Sequence, residues 1–236
     1  SYTFGIQTIN TSININFLKM EKKHALVLGA TGSTGKELVK LLLNDSSFEK
    51  VSIFVRNVPN IKNKKLKVYK IDFLKLEDYK DLIYGDVLFS SLGTTLKDAK
   101  SKSQQYLVDY TYQYKFAKMA IENGIKYYSL VSSVGSNKNS LFFYPKMKGT
   151  LEEDIIKLGF EKTYIFQPPL LIRHSNLMRP GEKIGIKVLN IINRIGLFKS
   201  QKPLSVLELA KKMVNETKIN NKLSVIVYKP SDIIST

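Results

Sequence analysis

Short apolar runs alternate along this chain with segments whose apolar positions recur every three or four residues. Runs typical of buried strands lie at 24–28, 51–55, 66–71, 86–91, 127–131, 163–166 and 224–228. Helical patterns lie at 36–43, 76–83, 106–123, 148–158 and 206–217. Strands that alternate with helices favour a parallel sheet with right-handed crossovers. The pattern therefore predicts the α/β class, with a doubly wound parallel sheet.

Two parts of the chain fall outside this alternation. Near the C-terminal third the pattern loosens into a loop at 179–181 and an apolar helix at 187–195, and we expect a small C-terminal lid at about 170–205. Residues 1–19 have neither the apolar core of a signal peptide nor the arginines of a mitochondrial presequence. We expect this segment to be a disordered or non-native extension, and 20–236 to form a single domain.

The composition fits one soluble domain and narrows the choice of partners. Of the 236 residues, 43% are apolar and 24% are charged, and no uninterrupted apolar run approaches the ~20 residues of a membrane span. The net charge is +17, but only four of the 37 basic residues are Arg, and lysines spread across helices do not indicate a nucleic-acid surface. The chain has no Cys, which suits a reducing compartment. We expect a cytoplasmic protein that neither binds nucleic acid nor spans a membrane.

Three glycines lie between the first predicted strand and the first predicted helix, at Gly29, Gly32 and Gly35. Glycine lets a tight turn adopt positive φ and lets the backbone approach a ligand, while the N-terminus of the following helix attracts phosphate. The spacing G-x-x-G-x-x-G is a weak signal by itself, but its place between a strand and a helix supports it. The turn is therefore predicted to bind a dinucleotide.

Arg56 and Asn57 follow the second predicted strand, where a dinucleotide-binding fold meets the adenosine ribose. An Arg at this place accommodates a 2′-phosphate, which favours NADP over NAD, whereas the alternative is an ordinary surface Arg at a strand end. Asp72 and Phe73 follow the third predicted strand and have two interpretations. They lie at the edge of the adenine, or Asp72 caps a helix while Phe73 enters the core.

Ser132 and Ser133 end the fifth predicted strand, and Tyr144 and Lys148 follow them. A free Tyr phenol has a pKa near ~10 and is a poor acid or base at neutral pH, but a nearby Lys ammonium favours the phenolate and a hydroxyl polarises a carbonyl. Tyr144 and Lys148 share a helix face if a helix already begins there, and Pro145 suits a first helical turn. These residues predict carbonyl or alcohol chemistry, although Y-x-x-x-K is a common pattern in a chain rich in both residues.

Other titratable residues give no second site. His24 and His174 are far apart in the sequence and have no neighbouring ligands, so no metal site is expected. Glu152, Glu153 and Asp154 are adjacent on a predicted helix, and we interpret them as its solvated face.

Taken in order, these motifs resemble the short-chain dehydrogenase/reductases, specifically the atypical branch that contains the Tat-interacting oxidoreductase family. The resemblance runs from about Ala25 to Pro180. The motifs that carry it are Leu28-Gly29-Ala30-Thr31-Gly32-Ser33-Thr34-Gly35, Asp72-Phe73, Leu92-Gly93-Thr94-Thr95, Val131-Ser132-Ser133, Tyr144 with Lys148-Gly149, Phe166 with Pro168, and Arg179-Pro180-Gly181-Glu182.

The resemblance implies a Rossmann-like domain that binds NADP(H). It implies that Tyr144 is the proton donor or acceptor, that Lys148 binds the ribose and tunes Tyr144, and that Ser133, or alternatively Ser132, polarises the substrate carbonyl. The residues that it implies as cofactor ligands are Gly29, Thr31, Gly32, Ser33, Thr34, Gly35, Arg56, Asn57, Asp72, Leu92, Gly93, Tyr144, Lys148, Leu171 and Arg179.

The chain departs from the family pattern at three points. Gln167-Pro168-Pro169 stands where the family often has Arg-Pro-Gly, and Asn57 stands where the family has a second Arg. The helix that carries Asp109 shows no clear equivalent of the Asn that completes the proton relay in better-known members.

The sequence thus predicts an NADP(H)-dependent oxidoreductase that transfers a hydride to or from a small carbonyl or alcohol substrate. The alternative is an NADP-binding regulatory or scaffold protein that senses redox state without turnover. The amphipathic helix at 106–123 also leaves a homodimer open.

Overall fold

A computed structural model describes residues 22–169, 171–172 and 204–234 of the chain. Their main feature is a seven-stranded parallel sheet with the strand order β3-β2-β1-β4-β5-β6-β9. The strands are β1 (Lys23–Leu28), β2 (Phe48–Val55), β3 (Leu66–Lys70), β4 (Val87–Ser90), β5 (Tyr127–Val131), β6 (Lys162–Phe166) and β9 (Val225–Tyr228). A separate parallel pair joins β7 (Leu171–Ile172) to β8 (Leu204–Ser205). All seven strands expected from the apolar runs are present, which confirms the predicted α/β fold class.

The strand order reverses direction at β1. From β1 the chain continues outward to β2 and β3 on one side, and it then returns to place β4 on the other side of β1. Ala25 of β1 is thus in register with Val51 of β2 and with Val87 of β4. In open α/β sheets this reversal leaves a crevice at the carboxyl ends of the adjacent strands, where ligands bind.

Helices cover both faces of the sheet. They are α1 (Ser33–Asn44), α2 (Leu96–Ala99), α3 (Lys102–Tyr106), α4 (Tyr112–Glu122), α5 (Phe143–Leu158), α6 (Val206–Glu216) and α7 (Pro230–Ile234), with a 3₁₀ segment at Phe73–Leu82 and a π-helical turn at Leu107–Thr111. Residues that alternate along β1 enter different cores. Ala25 and Val27 pack with α1, α6 and α7, whereas Leu26 and Leu28 pack with α4 and α5. A fully buried central strand explains the continuous apolar run from which β1 was predicted.

Helix boundaries differ from the predicted ones where capping and packing decide them. The helix expected at 148–158 begins at Phe143, so Tyr144 and Lys148 lie one turn apart on α5. The helix expected at 76–83 is the 3₁₀ segment, whose backbone breaks at Lys75. The segment 106–123 contains the π-helical turn between α3 and α4, a local change of period that a 3.6-residue pattern does not predict.

Two predicted parts of the chain lie largely outside the described residues. These are the N-terminal extension 1–19 and, apart from 171–172 and 204–205, the lid at 170–205 with its helix at 187–195. Among the helices that the structure does describe, none combines the length and the apolar character needed to cross a membrane.

Candidate functional site

A cavity of about 640 Å³ opens at the carboxyl ends of β1, β4 and β5. Its walls come from the turn after β1, the segment after β4, the segment after β5 and the first turns of α5. The lining residues are Thr31, Gly32, Ser33, Thr34, Lys36, Ser91, Leu92, Gly93, Thr94, Thr95, Asp109, Val131, Ser132, Ser133, Val134, Tyr144, Lys148, Pro168, Pro169, Leu171 and Val206. The volume lies within the range of about 300–1,000 Å³ that is usual for small-molecule and cofactor sites.

The three glycines after β1 have different physical roles. Gly29 has a φ of +83°, and a Cβ there would lie 2.5 Å from the backbone nitrogen of Leu92. A Cβ on Gly35 would lie 2.0 Å from the carbonyl oxygen of Gly29, so this glycine lets α1 approach the turn closely. Gly32 lines the cavity. Gly29 and Gly35 therefore shape the turn, while Gly32 leaves room for a ligand.

The N-terminus of α1 faces this cavity. Gly32 precedes its first residue, no side chain in the described part of the chain caps the helix, and its first turn contains no acidic residue. The N–H groups and the positive end of the helix dipole at such a terminus favour a phosphate. Thr31, Ser33 and Thr34 lie beside it, as does Lys36, which was not among the predicted site residues. This cradle fits the pyrophosphate of a dinucleotide.

Ser132 and Ser133 both line the cavity, but their hydroxyls have different partners. The buried Ser132 hydroxyl donates to the Glu152 carboxylate and lies 3.0 Å from the Ser136 hydroxyl. Among the described residues, the Ser133 hydroxyl has one contact, a long one of 3.3 Å to the carbonyl oxygen of Val134. Ser132 is thus engaged inside the protein, whereas no short hydrogen bond within the described part of the chain keeps the Ser133 hydroxyl from contacting a ligand.

Glu152 is buried, and its predicted place on a solvated helix face is wrong. The side-chain amide of Gln167 donates to both of its carboxylate oxygens, at 2.9 and 3.0 Å. The Lys229 ammonium in turn donates to the side-chain amide oxygen of Gln167 at 2.8 Å. Gln167, at the position where the family often has Arg, therefore connects a buried carboxylate to a cation.

Tyr144 and Lys148 meet in the cavity as predicted from their spacing. The Tyr144 side chain is partly exposed, whereas Lys148 is buried, with its ammonium 5.8 Å from the centre of the Tyr144 ring and 3.2 Å from a carboxylate oxygen of Asp109. Burial by itself lowers the pKa of Lys148, but the acidic groups of Tyr144, Asp109 and Glu152 outweigh it and hold that pKa above its usual value. Lys148 therefore stays cationic.

Asp109 was not among the predicted site residues, although it is 1% exposed and lines the cavity. Its second carboxylate oxygen accepts the backbone N–H of Thr94 at 2.7 Å. The sequence held one usable signal, because Gln105, Asp109 and Gln113 are spaced four apart and all three are buried. Polar residues repeated on the buried face of an amphipathic helix indicate a built hydrogen-bond network.

The residues predicted for the adenosine end lie outside the cavity lining. Arg56 and Asn57 follow β2 and are exposed. Asp72 is exposed and accepts the backbone N–H of Leu74 at 2.9 Å, as in the helix-capping interpretation. Leu171 does line the cavity, and Arg179 lies outside the described residues.

Comparison with known proteins shows the family to which this chain belongs. A family model described as NAD(P)H-binding matches residues 29–162, more than half of the chain. Protein HTATIP2 of Rattus norvegicus is 35% identical over 173 residues, which cover 72% of this chain and 71% of that protein. "Protein FMP52, mitochondrial" of Candida albicans is 37% identical over 151 residues, covering 62% of this chain and 66% of that protein.

A solved structure supports the same fold. The short-chain dehydrogenase from Burkholderia cenocepacia J2315, in complex with NADP, superposes with a TM-score of 0.61 over 89% of each chain at 13% identity.

The expected cytoplasmic location is wrong by the same comparison. Fungal relatives from several species are named as mitochondrial proteins. The lack of cysteine, on which the expectation rested, does not distinguish the cytoplasm from other reducing compartments.

The family matches confirm the resemblance that the ordered motifs indicated. The chain has a Rossmann-like NAD(P)-binding fold, and it belongs to the atypical short-chain dehydrogenase/reductases together with HTATIP2 and FMP52.

Proposed function

We propose that the protein is an NADP(H)-dependent oxidoreductase that interconverts a small carbonyl compound and its alcohol. One observation supports this most strongly. The Tyr144 phenol, the Lys148 ammonium and the Ser133 hydroxyl line the same cavity as the uncapped N-terminus of α1. A proton donor, a cation and a polarising hydroxyl next to a phosphate cradle are what such a reaction needs.

The cofactor would be held by the segments that follow β1, β2 and β4. Thr31, Gly32, Ser33 and Thr34 would contact the pyrophosphate, and Leu92 and Gly93 would pass below the nicotinamide ribose. Arg56 and Asn57, exposed at the end of β2, would contact the 2′-phosphate. When bound, the nicotinamide supplies or accepts the hydride.

The side chains then handle the oxygen of the substrate. In the direction of reduction, the Ser133 hydroxyl donates a hydrogen bond to the carbonyl oxygen, and the Tyr144 phenol gives that oxygen its proton. The buried Lys148 ammonium stabilises the phenolate that remains, because an opposite charge nearby favours the ionised form. In the direction of oxidation, the Tyr144 phenolate takes the proton back from the alcohol.

A steady-state assay tests this proposal. NADPH oxidation is followed with a panel of aldehydes and ketones, for the wild-type protein and for Tyr144→Phe. We expect Tyr144→Phe to lower kcat/KM by about 10²-fold or more, the usual contribution of a general acid. Tyr84→Phe is the matched control, since Tyr84 is also exposed but lies at the opposite edge of the sheet, where it contacts Lys50.

Two outcomes contradict the proposal. Equal losses in Tyr144→Phe and Tyr84→Phe would remove the acid role of Tyr144. Tight NADPH binding without turnover of any carbonyl in the panel would instead favour a redox-sensing regulatory or scaffold protein.

The names of the fungal relatives support a mitochondrial location for this protein as part of the same proposal. Fractionation of cells that express the full-length protein tests it. Recovery in the cytosolic fraction alone would contradict it.

A further inference from the structure

Lys148 and Asp109 form a buried ion pair that the proposed reaction does not by itself explain. The ammonium lies 3.2 Å from a carboxylate oxygen of Asp109, and the two side chains are 4% and 1% exposed. The other salt bridges among the described residues have at least one partner that is 10% exposed or more. A buried pair of charges is costly to desolvate and is weak evidence of a stabilising role. Its place in the cavity calls for a functional account.

The surroundings of Asp109 fix its carboxylate in one position. The residue lies in the π-helical turn Leu107–Thr111, and such turns occur frequently at functional sites. The Gln113 side chain donates to its carbonyl oxygen at 2.7 Å and accepts from the Ser90 hydroxyl at 2.7 Å. The Thr94 N–H holds the second carboxylate oxygen. Only the first oxygen is directed at Lys148.

We propose that Asp109 is a positioning residue for the reaction, which holds the Lys148 ammonium in the cavity and partly neutralises its charge. As a result, the Tyr144 phenolate is stabilised less than it would be beside an unpaired lysine. This inference rests on the proposed function, in which Tyr144 is the acid. The helix that carries Asp109 has no clear equivalent of the Asn that completes the proton relay in better-known family members. In this protein the residue paired with Lys148 is the carboxylate of Asp109.

The charge balance around Tyr144 gives the direction of the effect. Lys148 and Glu152 lie on α5 with Tyr144, Asp109 faces them from the π-helical turn, Lys36 lines the same cavity from α1, and Lys102 lines an adjoining cavity from α3. Among these groups Asp109 is the carboxylate in direct contact with Lys148. Removing its charge leaves the cation uncompensated, which stabilises the Tyr144 phenolate.

A merely structural role predicts a different result for the conservative variant. Asp109→Asn keeps the size of the side chain and an oxygen that can accept from Thr94, but it removes the negative charge. Asp109→Glu keeps the charge. If charge is what matters, the first variant changes the ionisation of Tyr144 and the second one does not.

The experiment titrates Tyr144 directly in the absence of any substrate. Tyrosinate absorbance is followed against pH for each protein and for the same protein with Tyr144→Phe, and the difference isolates Tyr144. We expect Asp109→Asn to move the Tyr144 midpoint to lower pH by about one unit, the size typical of a nearby charge. Asp109→Glu should titrate like the wild type. Asp154→Asn is the control, because Asp154 likewise pairs with a lysine but lies away from the cavity, where it accepts from the Tyr110 hydroxyl.

The kinetic consequence is a second readout. For carbonyl reduction, the limb of kcat/KM that falls at high pH should shift to lower pH in Asp109→Asn, while Asp109→Glu retains the wild-type profile. An unchanged Tyr144 midpoint in Asp109→Asn, or an equal shift in both variants, would overturn the inference. If wild-type protein shows no turnover at all, the proposed function fails, and the absorbance titration still decides the role of Asp109.

Asp109→Asn leaves the buried Lys148 ammonium without its partner, and this loss destabilises the folded protein. If too little folded protein is obtained, Asp109→Ala is titrated in its place, because the shorter side chain leaves room for water to solvate the Lys148 ammonium. The inference then requires Tyr144 to titrate at lower pH in Asp109→Ala than in the wild type. Equal midpoints would overturn it.

Discussion

The two edges of the sheet both carry polar and titratable side chains, and the 640 Å³ cavity described above lies at one of them, the carboxyl edge. At the amino edge, where the strands begin, Nε2 of the His24 ring lies 2.8 Å from the Ser52 hydroxyl. The backbone N–H of His24 donates to the Asp86 carboxylate at 2.6 Å. At the carboxyl edge, Lys148 and Asp109 face the space next to the N-terminus of α1. Polar side chains alone therefore do not distinguish a structural edge from a functional one.

The loops account for the difference. At the amino edge, the turn before β4 lies so close to β1 that a Cβ on Gly85 would be 2.4 Å from a methyl carbon of Leu26. At the carboxyl edge, the turn after β1 touches the segment after β4 at Gly29 and Leu92, but the strand order reverses there and the cavity opens beside this contact. The amino-edge groups satisfy one another, whereas the carboxyl-edge groups also face open space. Substitutions at the two edges should accordingly separate stability from binding.

The largest expected effect is that of Gly35→Ala. The new methyl group would lie 2.0 Å from the Gly29 carbonyl oxygen and 2.8 Å from the Cα of Ala30, so α1 must move away from the turn. We expect the free energy of unfolding to fall by about 2–4 kcal/mol, as for overpacking against backbone. Urea denaturation measures it. Gly159→Ala is the control, with no atom near the new methyl group and a cost of about 1 kcal/mol for its left-handed backbone.

Ser132→Ala and Ser133→Ala should have opposite consequences within the carboxyl edge. Ser132→Ala removes a buried donor to Glu152, and we expect it to lower the free energy of unfolding by about 1–3 kcal/mol. Ser133→Ala should leave stability unchanged and lower kcat/KM for carbonyl reduction by about tenfold, near 1.4 kcal/mol. Thermal unfolding and steady-state kinetics on both variants test this. A larger kinetic loss in Ser132→Ala than its instability explains would reverse the two assignments.

Arg56→Ala tests the part of the carboxyl edge that would contact the adenosine end of the cofactor. Because Arg56 is exposed after β2, its loss should not affect folding, but it should reduce the preference for NADP over NAD by about tenfold. Titration with each cofactor measures the ratio. Lys50→Ala removes a cation from the opposite edge and should leave the ratio unchanged. Equal cofactor affinities in the wild type would contradict the role of Arg56.

The smallest expected effect concerns His24 at the amino edge. Burial, together with the nearby Lys50, lowers the pKa of His24 from 6.5 to about 4, against the opposing charge of Asp86. Between pH 6.5 and 4 the unfolded chain therefore binds a proton that the folded chain does not, and stability falls as pH falls. We expect a loss of about 1 kcal/mol, limited because water screens the repulsion from the partly exposed Lys50.

His24→Asn tests this contribution. The variant should lose that part of the pH dependence of unfolding between pH 4 and 6.5. An unchanged slope in urea denaturation across this range would show that other groups carry it.

The strands and the proximity of Tyr144 to Lys148 could be predicted from the sequence. The acidic residues that interact with Lys148 could not. Apolar runs predict strands because every central strand is buried on both faces. Asp109 and Glu152 resemble surface carboxylates in a one-dimensional pattern, and only the π-helical turn and the packing of α5 bring them inside. The position of Arg56 at the end of β2 followed from the apolar run that precedes it, while its contact with a cofactor stays a prediction.

The chain of contacts from Glu152 through Gln167 to Lys229 also constrains how such sequences can diverge. Where a relative has Arg in place of Gln167, that Arg can pair with the carboxylate directly, and a cation at position 229 would then repel it. Positions 167 and 229 should therefore change together among relatives, with an Arg at the first accompanied by a neutral residue at the second. Gln167→Arg introduced alone into this chain would be less tolerated than Gln167→Arg combined with Lys229→Met.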